Sequence, residues 1–210
     1  MIEIYAITAD PAPQLADELP ELQAVTSCGL AALCAPAREE PPSPADLWAR
    51  EDVLEKLMEQ GDLLPVRYGT RVADEAAAAR ALEERQEQLN AALERVRGAV
   101  ELALRVHRAP DAERRPTPTD GAAYLQARAE TLGERAFVAR FVHEPLAALS
   151  RAASRRTIPP SGHEILRSAY LVDRALVDRF AERLTELEAK YPEWRLLCTG
   201  PWPPYSFVER

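Results

Sequence analysis

A chain of 210 residues that is 47% hydrophobic, 29% charged and 6% aromatic is long enough to bury a core and too apolar to remain unfolded. Its formal charge of −8, from 26 basic and 34 acidic residues, has the wrong sign for a generic binder of nucleic acid or anionic lipid. The longest nearly uncharged stretch, Leu22 to Ala37, is broken by Thr, Ser, Gly and Pro and is too short to span a membrane, and Met1-Ile2-Glu3-Ile4-Tyr5 has neither the basic leader nor the long apolar core of a secretory signal. Cys28, Cys34 and Cys198 form no C-x-x-C pair and are odd in number, which fits reduced thiols of a cytosolic protein used as small buried hydrophobes. Cys28 and Cys34 could meet across a hairpin, though nothing in the sequence requires it.

In chain order, residues 2–8 read as a strand, closed by Asp10-Pro11-Ala12-Pro13 because proline cannot donate to a ladder. Residues 22–35 read as two short strands, with a hairpin bent at Gly29 as one arrangement. After the loop Arg38–Pro44, Ser43 or Asp46 caps a helix over roughly 45–60, with Leu47, Val53, Leu54, Leu57 and Met58 at helical spacing and Gly61 closing it. Leu63 to Thr70 reads as a short strand whose Pro65 marks an edge or a bulge, 73–94 as a helix rich in strong formers, and 95–107 as a strand because Val96, Gly98, Val100, Leu102, Leu104 and Val106 share one parity. The sum resembles a ferredoxin-like α+β domain over 1–107.

Residues 108–119, with three prolines, a run of charges and little apolar bulk, read as a linker. A second α+β domain over 120–198 then starts at a Thr119 or Asp120 cap. It comprises one long helix over 121–153 with Gly133 and Pro145 as bend points, a turn at Pro159-Pro160-Ser161-Gly162, a strand over 164–172, a helix over 173–190 and a last strand over 194–199. The basic run Arg151–Arg156 suits the end of that long helix. Residues 199–210 form a proline- and aromatic-rich tail.

No catalytic, cofactor-binding or metal-ligating constellation stands out. His143-Glu144 and His163-Glu164 do not extend to H-E-x-x-H, and the eight glycines spell no P-loop, G-x-G-x-x-G or G-x-S-x-G elbow. The acidic residues lie in Arg- and Glu-rich helices, where solvated faces are the ordinary role. Two segments carry the remaining information. In Leu64-Pro65-Val66-Arg67-Tyr68-Gly69-Thr70, Pro65 and Gly69 shape a strand end, and Arg67 either pairs with a partner's carboxylate or makes an internal salt bridge, the latter being favoured. In Gly200-Pro201-Trp202-Pro203-Pro204-Tyr205-Ser206-Phe207, the prolines favour polyproline II and the aromatics demand cover. The tail therefore docks on its own domain or offers anchors to a partner; a ligand for proline-reading modules is a weaker reading.

At these two segments the chain resembles the gas vesicle GvpL/GvpF family. Leu64 to Thr70 matches that family's Leu-Pro-(Val)-Arg-Phe-Gly-Thr signature with Tyr68 in the aromatic slot, and Thr199 to Phe207 matches its C-terminal signature. Tyr5 in the starting strand, Ala169 to Asp173 and the length also fit, while Arg50-Glu51 departs from the His-Glu of many members. The resemblance implies an N-terminal ferredoxin-like domain, a C-terminal domain of modified ferredoxin-like character and a docked tail. It implies a non-enzymatic accessory or minor structural protein of gas vesicles, without cofactor. Such a protein associates with the hydrophobic shell protein and with other accessory proteins, in the cytoplasm or on the vesicle, and helps assembly by preventing premature aggregation of the shell protein. A shell-binding patch is expected in the N-terminal domain, apolar and rimmed by charge. The alternatives are an enzyme or ligand-binding protein on a ferredoxin-like scaffold, and, ranked last, a coiled-coil adaptor, since the apolar heptad is not sustained.

Overall fold

Residues 1–11, 22–38, 41–109, 120–158 and 164–208 are described in a computed structural model of the chain. They form two sheets with helices, divided into one unit of Met1–Ala99 with Trp202–Arg210 and another of Val100–Pro201.

In the first unit β1 (Ile2–Ala9), β2 (Gln23–Ser27), β3 (Leu30–Pro36), β4 (Leu64–Pro65) and β5 (Arg71–Val72) make a sheet of order β2-β3-β1-β4, with β5 also pairing β1. All four of these pairings are antiparallel. The β2–β3 hairpin turns on Cys28 and Gly29, both at positive φ (48° and 78°), the combination that matches the natural strand twist. β3 is buried from Leu30 through Ala35, as an inner strand of small and aliphatic residues can be. Of the strand expected over Leu63–Thr70 only Leu64–Pro65 is ladder, because the chain turns at Tyr68-Gly69 before pairing again as β5.

Helix α1 (Pro44–Gln60) starts with a capping box: the Ser43 hydroxyl accepts from the Asp46 amide, and Asp46 accepts from the Ser43 amide. Its inner line is Arg50, Leu54, Leu57 and Met58. The helix expected over 73–94 is two helices, α2 (Glu75–Glu84), capped by Asp74, and α3 (Gln86–Val96). The break at Arg85 lets α2 lie on β2 and β3 while α3 lies on β1 and β4, following a twisted sheet that one straight rod would leave.

The second unit holds β6 (Ala99–Arg108), β7 (Ala152–Arg155), β8 (Glu164–Asp173) and β9 (Trp194–Trp202) in the order β7-β8-β6-β9. The alternation in 95–107 does make a strand, but it begins at Ala99, after α3 has run to Val96, and it joins the second sheet rather than completing the first. Arg108, expected to open the linker, is still strand and is held by Glu134 at 2.5 Å; the rest of that linker lies outside the described residues beyond Ala109.

The expected long helix is shorter and composite. α4 (Gly121–Val138), capped by Asp120, passes into a π-turn over Ala139–His143 and then α5 (Glu144–Ala147). Pro145 lacks the amide that a regular ladder needs, and the wider turn accommodates it. The basic run after it is strand β7, paired antiparallel to β8, because the Arg151 amide is taken by the Leu171 carbonyl (2.8 Å). A 3₁₀ turn at Arg174–Leu176 precedes α6 (Val177–Lys190). The core between helices and sheet includes Leu104, Val106, Val142, Leu146, Tyr170, Phe180 and Leu187. β9 extends past Thr199 through Pro201 to Trp202, which an edge strand tolerates. The turn expected at residues 159–162 lies outside the described residues.

Candidate functional site

The Leu64–Thr70 segment closes around a buried arginine that belongs to neither sequence signature. Pro65 is buried opposite Ala6 in β4, and the Val66 amide donates to the Tyr5 carbonyl at 2.9 Å. Arg67, Tyr68, Gly69 and Thr70 then form a turn in which the Thr70 amide donates to the Arg67 carbonyl (3.2 Å). Gly69, third in the turn at φ 79°, occupies the left-handed position that a type II turn assigns to glycine. Its amide donates to Glu3 Oε1 at 3.0 Å.

Arg50, 3% exposed on the inner line of α1, donates to the same Glu3 oxygen at 2.8 Å and to the carbonyls of Ile4 (3.0 Å) and Val66 (2.8 Å). Its guanidinium lies 4.1 Å from the Tyr5 ring centre and 5.4 Å from that of Tyr68. One rigid fork thus ties α1 to β1 and to the turn, a task for which arginine's planar donors are suited. The Arg67 side chain, expected to form an internal ion pair, is exposed and pairs with no carboxylate among the described residues; the buried pair is Arg50–Glu3. In the sequence Arg50 stands out only as a departure from His-Glu. The available signal was its place on the Leu54–Leu57 stripe, where a charge is costly unless paired.

The tail, expected to dock on its own domain or to offer anchors to a partner, instead belongs from Trp202 onward to the first unit. Pro203 and Pro204 are buried, Trp202 and Phe207 half-buried, and Gly200 and Pro201 are exposed at the end of β9. The Tyr205 amide bonds back to the Pro203 carbonyl and that of Phe207 to the Pro204 carbonyl, so the segment ends in a tight turn. Tyr205 donates its hydroxyl to Glu51 Oε1 at 2.9 Å. Burial and the neighbouring Glu51 carboxylate push that hydroxyl above its ordinary range, so it keeps the proton it donates.

In the second unit, His143 sits in the π-turn with Nδ1 2.8 Å from the Tyr170 hydroxyl and 3.3 Å from Ser168 Oγ. Burial, reinforced by Arg155, lowers the His143 pKa, and burial raises that of Tyr170, so neutral imidazole accepts from a retained phenol proton. Ser168 is 3% exposed, too enclosed for an attacking nucleophile to meet a substrate, and the trio reads as a satisfied polar group under the core. Because His143 binds fewer protons in the folded state than in the unfolded chain just below pH 6.5, its contribution to stability falls as pH drops through 6.5 and levels off below its folded pKa. Substituting His143→Gln should flatten this part of a urea-midpoint-versus-pH profile; an unchanged slope would place the titration elsewhere.

A depression of about 270 Å³ lies between Pro145, Leu149, Arg179, Arg183 and Glu186, lined by no His or Cys. Among the described residues no three His, Cys, Asp or Glu gather as metal ligands, and no helix is long and apolar enough to cross a membrane. Large apolar side chains stand in solvent on the first unit at Leu47 (44%) and Trp48 (66%), and on the second at Tyr124, Leu125 and Leu132.

A family model described as "Gas vesicle synthesis protein GvpL/GvpF" matches residues 3–209. Gas vesicle protein L of Streptomyces sp. (strain CB03234) is 31% identical over 69% of this chain, and the match spans 62% of that relative's length. Gas vesicle protein F of the same strain is 28% identical over 98% of each chain. Among solved structures, the gas vesicle protein GvpF from Anabaena sp. PCC7120 superposes with a TM-score of 0.84 at 19% identity, covering 100% of this chain and 96% of that one. GvpF from Microcystis aeruginosa does so with a TM-score of 0.82 at 16% identity, covering 100% and 99%. At those identities the two structures speak to the fold.

Proposed function

Because the chain belongs to the gas vesicle GvpL/GvpF family, we propose that it is a non-enzymatic accessory or minor structural protein that binds the hydrophobic shell protein and keeps it from aggregating before assembly. Its place is then the cytoplasm and the vesicle, with other accessory proteins as further partners. The observation that carries this reading beyond family membership is the exposure of Trp48 and Leu47 on a firmly capped helix of the first unit. Aromatic side chains left in water are unfavourable for a lone protein and are the usual anchors of an interface. The polar clusters that could suggest chemistry, Arg50–Glu3 and His143–Tyr170–Ser168, are consumed in internal bonds.

The finer fold reading, a ferredoxin-like arrangement in each unit, is supported by the order β9-β6-β8-β7, which is 4-1-3-2 for a strand–helix–strand–strand–helix–strand chain, and by the corresponding β4-β1-β3-β2 of the first sheet. The motif residues Pro65, Tyr68 and Gly69, with the tail residues Pro203, Pro204 and Tyr205, then serve to hold the first unit's binding face in shape.

Co-expression of the full chain with the shell protein, followed by sedimentation, tests the reading. The shell protein is expected to move from the pellet to the supernatant and to be retained by the tagged chain. A pellet unchanged in amount, with nothing retained, would overturn it.

A further inference from the structure

Along α1, Trp48, Asp52, Glu55 and Glu59 follow at intervals of four, three and four residues and so share one line of the helix, opposite the buried line of Leu54 and Leu57. Trp48 is 66% exposed at the head of that line, Leu47 is beside it in sequence, and Tyr205, 36% exposed, is fastened through its hydroxyl to Glu51, one turn along. Among the described residues no cation pairs with Asp52, Glu55 or Glu59. The basic residues of the helix itself are Arg50, which is buried on the inner line, and Lys56, which lies roughly 80° round the axis from Trp48. The line therefore presents an aromatic anchor followed by charge of one sign. The capping box at Ser43 and Asp46 fixes the first turn, so Trp48 is held ready rather than ordered on contact.

We propose that this face of α1, with Leu47, Trp48 and Tyr205 as its apolar centre and Asp52, Glu55 and Glu59 as its edge, docks an amphipathic helix of the shell subunit whose apolar face is bordered by lysine or arginine. The proposal rests on the shell-binding reading above and adds the surface and the charge of the partner. Charge complementarity selects that occupant: a partner helix with an acidic border would set like charges opposite each other along the whole line. The unpaired carboxylates also keep the free chain soluble until the partner arrives.

The test uses the full-length chain and three probes: two labelled 20-residue leucine-faced helical peptides, one lysine-edged and one glutamate-edged, and the co-expressed shell protein. Wild type is expected to bind the lysine-edged peptide at least about tenfold more tightly than the glutamate-edged one, and Trp48→Ser to weaken that binding by about tenfold or more. The exposed pair Asp52→Lys with Glu59→Lys is expected to reverse the preference. All of these positions are on the outer line, and unchanged melting curves verify that the fold is kept. Equal binding of both peptides, or insensitivity to Trp48→Ser, overturns the surface. Shell protein recovered by wild type and equally by the variants also overturns the surface while leaving the shell-binding reading standing. Loss of shell recovery in the variants supports both. Failure of wild type to recover shell protein, with the lysine-edged peptide still bound through Trp48, overturns the shell-binding reading and retains the surface.

Discussion

Arg50→Ala is expected to lower the stability of the chain by about 3–5 kcal/mol, the loss that follows when one partner of a buried ion pair is removed and the other remains. Arg50 and Glu3 are 3% and 5% exposed, and no solvent is at hand to replace the missing cation. The carbonyls of Ile4 and Val66 lose a donor at the same time, and the Tyr5 ring loses its covering guanidinium. Arg50→Lys should recover only part of the loss, since one ammonium cannot reproduce the fork between Glu3 and two carbonyls. Glu3→Gln, which keeps an oxygen for the Gly69 amide and removes the charge, should cost less than Arg50→Ala in the wild-type chain and rather little when added to it. Urea unfolding followed by circular dichroism measures all four variants. An Arg50→Ala midpoint equal to that of wild type would mean that the pair contributes nothing and that apolar packing alone seats α1.

Phe180→Ala is the second large effect, at about 3–5 kcal/mol. The ring is fully buried on α6 and meets the Tyr170 ring in an edge contact with centroids 5.2 Å apart. Alanine leaves a cavity beneath the strand that carries Tyr170, and its close-packed aliphatic neighbours can only partly collapse into it. Phe180→Leu, which retains most of the volume, should cost less than half as much. Because Tyr170 also bonds His143, the alanine variant is further expected to speed amide exchange in β8 beyond that of the leucine variant. Similar exchange in the two would show that the cavity does not govern the local opening.

Local chemistry made much of the fold readable. The β2–β3 hairpin needed only Gly29 between two apolar runs, α1 needed Ser43, Pro44 and Asp46, and α4 needed Asp120. Both family signatures include tight turns of the first unit, at Arg67–Thr70 and at Pro203–Phe207. The misreadings came where local preference was indifferent. Arg85 is a good helix former in a run of good helix formers, yet the helix breaks there because the sheet beneath it twists. Ala152 to Arg155 could be the last turn of a helix or an edge strand, and β8 decides in favour of the strand by taking the backbone bonds.

The amino-acid order alone thus determined the mixed helix-and-sheet class, the first-turn caps of α1 and α4, the turn at Gly29 and the family signatures, because each depends on residues within a few positions of one another. Which strands share a sheet, that β6 joins the second sheet, and that Arg50 rather than Arg67 is the buried cation were decided by tertiary structure. Those outcomes depend on partners far along the chain, Glu3 for Arg50 at a separation of 47 residues and Glu51 for Tyr205 at 154, and burial makes such pairings obligatory only once the sheets have formed.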